Sequence, residues 1–183
     1  LLAFVYVPPI AAVLGQRVGA AAGTALEGDS AENLTKVFGP IRSYVREPNT
    51  YNDDITFEIT FLEAYGAEGP SVTGADICER WTSLIPTAWS AEALALSSMR
   101  RGLLPPETAT TDNPFDEWIG AQMRGIICGM VVPGRAREAA RLAWMDAEVS
   151  HAGNGILGEV FNAVLAARAF VEPDVRSLLI STI

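Results

Sequence analysis

Residues 113–134 read NPFDEWIGAQMRGIICGMVVPG, and this stretch indicates the fold class of the chain. Asn113 and Pro114 suit the start of a helix, because asparagine caps helix N-termini and proline is tolerated at the first helical position. The apolar residues that follow recur at helical spacing; they are Trp118, Ile119, Met123, Ile126, Ile127 and Met130. The stretch therefore predicts one helix that begins at Asn113 and stops before Pro133.

Helical patterns of the same kind fill most of the remaining chain. Apolar stripes at helical spacing predict further helices at residues 13–26, 57–65, 77–85, 91–101, 135–149, 156–171 and 175–183. We expect Gly66 to end the helix that contains Phe57 and Phe61. In the helix that precedes the last one, four apolar residues are expected to face inward: Val160, Phe161, Val164 and Leu165.

Strand signals are weak along the whole sequence. Only Ala3–Val7 has the density of β-branched and aromatic residues that is typical of a short strand. Helices and strands do not alternate, which argues against a doubly wound sheet. We therefore predict a single all-α domain that spans residues 1–183.

The composition excludes several classes of function. The chain has 183 residues, and its 13 Lys and Arg against 22 Asp and Glu give a net charge of −9, which argues against a nucleic-acid-binding surface. Cys78 and Cys128 are too few for a disulfide framework, and we expect both in the core. A single histidine does not support a zinc site with several His and Cys ligands, whereas a carboxylate site for a hard cation stays open.

The sequence also predicts that the protein does not cross a membrane. The longest apolar run, Leu1–Leu14, is interrupted by Pro8 and Pro9. It falls short of the roughly 20 residues that a helix needs to cross a bilayer. No basic leader accompanies this run, so we expect no signal peptide and a cytoplasmic location.

Two sets of glycines recur at every fourth residue. Gly15, Gly19 and Gly23 form the first set, and Gly125 and Gly129 form the second. Such spacing allows the backbone of a neighbouring helix, or a ligand, to come close. We favour close helix packing for both sets, with a ligand as the alternative.

The segment YNDDIT at residues 51–56 lies just ahead of the helix predicted at 57–65. Asn52 can cap that helix, and Asp53 and Asp54 would then complement the helix dipole. Alternatively, two neighbouring carboxylates and a side-chain amide oxygen can present several oxygens to Mg²⁺ or to a close pair of ions. The spacing alone leaves both interpretations open.

Two further residues are candidates for a functional site. Glu27 closes the small-residue helix and is followed by Gly28, so it is either an exposed helix-end residue or a carboxylate beside a cleft. His151 precedes the Ala-Gly-Asn-Gly turn at 152–155. It is either a helix-end cap or a ligand contact, because the glycines of the turn allow a ligand to approach the backbone.

Three stretches of the chain resemble the ADP-ribosylglycohydrolase family. Residues 19–28, GAAAGTALEG, resemble the family's Gly-Asp-Ala-Leu-Gly helix, which is followed by a glutamate. Residues 51–55, YNDDI, resemble its Tyr-Thr-Asp-Asp-Thr motif. Residues 120–155 carry the longest match, to a Gly-Ala-x-x-Arg helix and an Asp-Ala-x-x-(Ser/Thr)-His turn. The resemblance covers roughly residues 12–183.

This resemblance implies an orthogonal multi-helix bundle with a binuclear Mg²⁺ site in a central cleft, where Mn²⁺ is an alternative ion. Members of the family hydrolyse the bond between ADP-ribose and a protein side chain, or a related ADP-ribosyl compound. The implied partners are therefore an ADP-ribosylated protein or an ADP-ribosyl small molecule.

The resemblance also implies roles for individual residues. Asp53 and Asp54 would bind metal, and Asn52 would occupy the position of a metal-binding threonine. Glu27 would match the cleft glutamate and, with Asp54, would take part in catalysis. The substrate side would be lined by His151, Gly153, Asn154 and Gly155.

Several positions depart from the family pattern. Ala20 stands where the family has Asp, Asn52 replaces a Thr, and Ile55 replaces a second Thr. The family's Asp-x-Asp-Thr motif, which completes the metal site, does not occur in residues 1–183. We therefore expect the C-terminal part of the fold to be missing from this chain. A second hypothesis follows, in which the protein is a non-catalytic relative with a binding or structural role.

Overall fold

The computed structural model describes residues 2–47 and 52–183, with side chains from Ile10 onwards. The helices are α1 (Leu2–Gly23), α2 (Ala31–Phe38), α3 (Asp53–Glu68), α4 (Gly74–Leu84), α5 (Ser90–Arg100), α6 (Glu107–Thr110), α7 (Gly120–Arg124), α8 (Ile126–Met130), α9 (Ala136–Ala147), α10 (Gly153–Ala169) and α11 (Val175–Thr182). A short 3-10 helix at Gly69–Ser71 follows α3. Strands are absent from the described residues, so the all-α prediction is confirmed.

Contacts divide the chain into two compact units, Leu1–Asp53 and Asp54–Ile183, and a single domain stays a prediction. The first unit contains α1 and α2. The hydroxyl oxygen of Ser30 caps α2 by accepting a hydrogen bond from the backbone N–H of Asn33, at 3.2 Å. None of the residues 10–47 is buried. In the described part of this unit, the helices therefore depend on backbone hydrogen bonds and capping rather than on a buried core.

The second unit contains the hydrophobic core. Helix α10 packs against α7, α8, α9 and α11, and α4 packs against α5 and α9. Phe57 of α3 contacts Trp81 of α4, with ring centroids 4.5 Å apart, and both side chains are buried. Fully burying a side chain such as Phe57 stabilises the fold by roughly 1.5–3 kcal/mol.

The single helix predicted from Asn113 to residue 132 is wrong. Helices α7 and α8 occupy only part of that stretch and are separated at Gly125. Asn113 is buried, and its side-chain Nδ2 donates hydrogen bonds to the carbonyl oxygens of Ala91, at 3.3 Å, and Ser150, at 3.1 Å. A buried amide must be satisfied: the Nδ2 group joins two distant segments, while Oδ1 accepts a local hydrogen bond from the Phe115 backbone N–H, at 3.3 Å, without a helix following directly.

The other predicted helices are present, with ends that differ from the prediction. Helix α3 continues past Gly66 to Glu68, and α1 ends at Gly23. The segment Ala3–Val7, whose composition is typical of a short strand, lies within α1, in agreement with the all-α prediction. β-propensity is context-dependent, and an adjoining helical segment overrides it. The short helices α2 and α6 were not predicted from the apolar pattern.

The buried side of α10 also differs from the prediction. The four residues expected to face inward are only half-buried. The buried positions are Gly155, Ile156, Glu159, Ala163 and Ala167. Small residues occupy this side because α8 approaches it closely.

That close approach depends on the glycines at the two ends of α8. A Cβ atom on Gly129 would overlap the carbonyl oxygen of Ala163 and lie 2.8 Å from the Cβ of Ala166. A Cβ on Gly125 would lie 2.8 Å from the backbone oxygen of Glu159. The predicted close packing is confirmed at this pair. Around the glycines of α1, apart from the chain neighbours and the helix's own backbone, no atom of the described residues lies within 4 Å of the Cβ position.

Two further predictions concern the cysteines and the membrane. Cys78 and Cys128 are buried free thiols, as predicted, and burial raises the pKa of Cys78 to about 12. Across the described residues, every helix is too short or too polar to cross a membrane.

Candidate functional site

A cavity with a volume of about 410 Å³ lies in the second unit, between the end of α9, the start of α10 and the loop before α7. We call it the α9–α10 cavity. Trp144, which is 50% exposed, and Leu157 contribute apolar surface to its lining. The polar side chains of its lining include Glu117, Glu148, His151 and Asn154.

One side of the cavity is held by a contact between Glu117 and Asn154. Glu117 Oε2 accepts hydrogen bonds from the Asn154 side-chain Nδ2, at 2.8 Å, and from its backbone nitrogen, at 3.3 Å. Gly153 has a φ of +48°, and a Cβ atom there would lie 2.8 Å from the Glu117 carboxyl carbon. Glycine is therefore required at this position for its backbone conformation and for the approach of the carboxylate.

His151 lies in the lining of the cavity and has no exposed surface. Its Nδ1 atom is 2.8 Å from Ser150 Oγ, and its Nε2 atom is 3.9 Å from Glu92 Oε1. Burial, together with the positive charge of Arg124, lowers the pKa of His151 from 6.5 to about 3. The imidazole is therefore neutral at pH 7.

Behind His151, a buried arginine organises several polar groups. Arg124 is 1% exposed, and its Nε donates to Asp146 Oδ2 at 2.6 Å. Its Nη1 donates to Glu92 Oε1 at 3.3 Å, and its Nη2 donates to Ser150 Oγ at 2.9 Å. The guanidinium also lies 4.9 Å from the ring centroid of Trp81, a cation–π distance.

Glu159 completes this group, and its Oε2 lies 3.8 Å from Arg124 Nη2. Burial first, and the neighbouring Asp146 carboxylate second, raise the pKa of Glu159 well above its usual range. One arginine thus faces three carboxyl groups, and protonation of Glu159 removes part of the excess negative charge. We call Arg124, Glu92, Asp146, Ser150 and Glu159 the Arg124 cluster.

Three of the four predicted substrate-side residues lie in one place. His151, Gly153 and Asn154 all line the α9–α10 cavity. Gly155 is buried behind them, and a Cβ there would lie 2.6 Å from the backbone oxygen of Asp116 and 3.0 Å from the His151 side chain. Gly155 thus allows the imidazole to pack, and substrate contact by all four residues stays a prediction.

The predicted metal and catalytic residues lie elsewhere in the chain. Asn52 directly precedes α3, and Asp53 and Asp54 occupy its first turn; all three are half-buried. Glu27 is exposed in the turn that follows α1, and it belongs to the first unit. Tyr51 lies outside the described residues. That these carboxylates share a hollow with His151 stays a prediction.

The described residues do not supply a complete metal site. Asp53 and Asp54 offer the oxygens that Mg²⁺ prefers. Within residues 10–47 and 52–183, however, no three His, Cys, Asp or Glu side chains come together in a way that could hold a metal ion. A binuclear site would need donors beyond those that the described chain brings together.

Sequence reasoning missed most of the Arg124 cluster and the acidic residues of the cavity. Arg124 was visible as the arginine of the Gly-Ala-x-x-Arg motif, but no role was assigned to it. Glu92 and Glu159 interrupt apolar helical patterns, and such residues are rarely buried unless they are paired. Glu117 and Glu148 gave no local signal, because a cavity forms only when distant segments meet.

Comparison with known families agrees with this architecture. The ADP-ribosylglycohydrolase family model matches residues 10–183, which is almost the whole chain and includes both the start of α3 and the α9–α10 cavity. The corresponding comparisons with curated proteins and with solved structures find no match. The chain belongs to the ADP-ribosylglycohydrolase family.

Proposed function

We propose that this protein is a Mg²⁺-dependent hydrolase that removes ADP-ribose from a modified protein side chain or from a related ADP-ribosyl compound. The family match over residues 10–183 carries the proposal. Two local features support it: the consecutive aspartates Asp53 and Asp54 in the first turn of α3, and a buried His151 in the lining of a cavity.

In this proposal, Asn52 and the carboxylates of Asp53, Asp54 and Glu27 provide the polar chemistry. Asn52, Asp53 and Asp54 contribute oxygens to a Mg²⁺ site that is expected to hold two ions, or Mn²⁺ in their place, once further donors complete it. Asp54 and Glu27 are the groups proposed to move protons during hydrolysis, which requires their carboxylates to lie within hydrogen-bond reach of the reacting atoms.

The α9–α10 cavity is proposed as part of the substrate side. His151, Gly153 and Asn154 are the residues proposed to contact the ADP-ribosyl group, with Gly155 behind them. The Glu117 carboxylate already occupies the Cβ side of Gly153, so Gly153 is proposed to meet the ligand through its exposed backbone.

The charged side chains of the cavity favour an uncharged part of the substrate over its diphosphate. Glu117 and Glu148 contribute carboxyl groups, and no Lys or Arg occurs in its described lining. A diphosphate placed there would be desolvated without a positive partner. An uncharged ring, such as a ribose or a base against the Trp144 indole, fits this environment better.

The alternative is a non-catalytic relative that binds a ligand or partner without hydrolysis. Three sequence features favour it: Ala20 in place of an Asp, Asn52 in place of a Thr, and Ile55 in place of a second Thr. Ile55 removes a hydroxyl outright, and the amide of Asn52 differs from a hydroxyl in reach and geometry.

Release of ADP-ribose from a modified protein, measured with and without Mg²⁺, tests the proposal. The wild type is compared with Asp53→Ala and Asp54→Ala, and with Asp112→Asn as a control on an exposed turn. We expect Mg²⁺-dependent release that falls about 100-fold or more in the first two variants and is unchanged in the control. No Mg²⁺-dependent release by the wild type would contradict the enzyme proposal.

Calorimetric titration with Mg²⁺ and Mn²⁺ separates the two hypotheses further. Heat of binding that disappears in Asp54→Ala, without any release of ADP-ribose, would favour the binding relative. No heat with either ion would contradict the proposed metal dependence.

A further inference from the structure

Glu159 is the carboxyl group of the Arg124 cluster that lies farthest from the guanidinium. Its Oε2 atom is 3.8 Å from Arg124 Nη2, which is beyond hydrogen-bond distance. Asp146 accepts from Arg124 Nε at 2.6 Å, and Glu92 accepts from Nη1 at 3.3 Å. Of the three carboxyl groups that face this one positive charge, Glu159 is therefore the one for which ionisation is least favoured.

Two buried oxygen atoms of the cluster accept no hydrogen bond from an N–H or O–H group of the described residues. They are Glu159 Oε2 and Asp146 Oδ1. The two side chains lie within hydrogen-bond distance of each other. Two ionised carboxylates cannot bond to each other because both only accept, but one proton between them satisfies both oxygens.

The other oxygen of Glu159 agrees with this arrangement. Cys128 Sγ lies 3.9 Å from Glu159 Oε1, and a thiol is a weak donor. Burial raises the pKa of Cys128 well above its usual range, so the thiol keeps its proton at pH 7. Oε1 therefore accepts from the thiol, which leaves Oε2 as the oxygen that carries the proton of the acid.

We propose that the Glu159 carboxyl group is protonated at pH 7 and donates a hydrogen bond to Asp146 Oδ1, which makes it a pH-sensitive contact that holds α10 against α9. Loss of this proton places a second negative charge beside Asp146 in the interior, where like charges repel far more strongly than in water. The hydrogen bond is lost at the same time, so ionisation loosens the packing of the two helices. The contact is independent of the proposed hydrolase activity.

The groups around Glu159 determine how costly its ionisation is. Those that face it come from the surrounding helices: Arg124 from α7, Cys128 from α8, Asp146 from α9 and Glu92 from α5. Glu58 of α3 is also buried and acts on Cys128, His151 is neutral at pH 7, and Arg176 of α11 is exposed. Among the described residues no Lys or Arg other than Arg124 is buried, so a second carboxylate beside Asp146 has no cation of its own.

Infrared spectroscopy tests where the proton lies. At pH 7 we expect the carbonyl band of a protonated carboxyl group that is absent from Glu159→Gln and present in Glu63→Gln, which changes an exposed glutamate of α3. The band should disappear at alkaline pH. A wild-type protein without such a band at pH 7 would overturn the proposal, because Glu159 would then be ionised and any link to Asp146 would pass through water.

Urea denaturation at several pH values from 7 upwards tests the pH sensitivity. The pKa of Glu159 is raised in the folded protein, so above the usual glutamate pKa the folded state binds more protons and stability falls as the pH rises. The unfolding constant of the wild type should increase relative to that of Glu159→Gln by up to about tenfold per pH unit. Glu63→Gln should follow the wild type. The same pH dependence in wild type and Glu159→Gln would overturn the pH-sensitive role.

A second variant tests the hydrogen bond to Asp146. Glutamine keeps a donor for Asp146 Oδ1, whereas methionine has a similar size and no donor. At pH 7 we expect the unfolding constant of Glu159→Met to exceed that of Glu159→Gln by about tenfold or more, because a buried acceptor is left unsatisfied. Equal stability of the two folded variants would overturn the contact. If neither variant folds, the wild-type infrared band and its loss at alkaline pH decide the proposal.

Discussion

The glycines of α1 and those at the ends of α8 have the same spacing in the sequence and opposite surroundings. On α1, Gly19 lies among exposed apolar side chains, with Leu14 58% and Val18 56% exposed, and no described atom is near its Cβ position. At α8, a Cβ on Gly129 would overlap the Ala163 carbonyl oxygen. Glycines at equal spacing therefore leave one side of a helix without side chains. Whether that side is packed depends on whether another helix lies against it.

The packed region around α8 also contains the Arg124 cluster, and the two features depend on each other. Gly125 allows the backbone of Glu159 to come close, and the Glu159 carboxyl then reaches Arg124, 3.8 Å away. Buried charge of this kind is stable only with accurate placement of its partners. We therefore expect changes in this region to cost far more than changes on α1.

The largest expected effect comes from removing the buried cation. Arg124→Met would leave Glu92, Asp146 and Glu159 without their positive partner, and we expect the free energy of unfolding to fall by about 3–5 kcal/mol. Urea denaturation at pH 7 measures this change. Arg137→Met on the exposed side of α9 is the matched control, and an equal loss there would show that burial is not the cause.

The next effect concerns the glycine that contacts α10. Gly129→Ala places a methyl group against the Ala163 carbonyl oxygen, and we expect a loss of about 3 kcal/mol because α8 and α10 must move apart. The midpoint of urea denaturation reports it. A variant as stable as the wild type would mean that the two helices are not in close contact.

A third effect is the pH dependence contributed by His151. Its pKa is about 3 in the folded protein and 6.5 in the unfolded chain, so between these values the unfolded chain binds more protons. Stability therefore rises with pH across this window, by up to about 1.4 kcal/mol per pH unit from this group. The other titratable and charged groups around it are Arg124, Glu92, Asp146 and Glu159.

Because those groups titrate too, the difference between wild type and His151→Asn is the quantity to measure. Raised pKa values have the opposite sign, so Glu159 lowers stability as the pH rises above its unfolded value. Denaturation curves at several pH values should show a flatter acid limb in the variant. Identical slopes in the two proteins would contradict a buried neutral imidazole.

The smallest effect on stability is expected on α1, where the substitution stabilises the protein instead of destabilising it. Gly19→Ala adds a methyl group where the described residues leave space, and alanine favours a helix interior over glycine by roughly 0.5–1 kcal/mol. We expect greater helicity or slower amide exchange in α1. A loss of stability comparable to that of Gly129→Ala would show that α1 has a close packing partner after all.

Much of the fold could be predicted from local patterns. The helices around Trp81, Leu96 and Leu142 appeared where apolar residues recur every three or four positions, because this spacing depends only on helix geometry. Predictions failed where a side chain forms hydrogen bonds with residues far away in the sequence. Asn113 has the chemistry of a helix cap and its Oδ1 accepts from the nearby Phe115 N–H, but its Nδ2 donates to the distant carbonyl oxygens of Ala91 and Ser150, which no local pattern predicts.

The sequence by itself determined the all-α class, the family, and the short segment that places His151 and Asn154 together, although Gly153–Gly155 form the first turn of α10 rather than a separate turn. Only the tertiary structure decided which glycines are packed, which carboxyl groups surround Arg124, and how Ser150 meets the imidazole. Burial and long-range hydrogen bonds set these features, and they join residues whose separation in the chain carries no periodic signal.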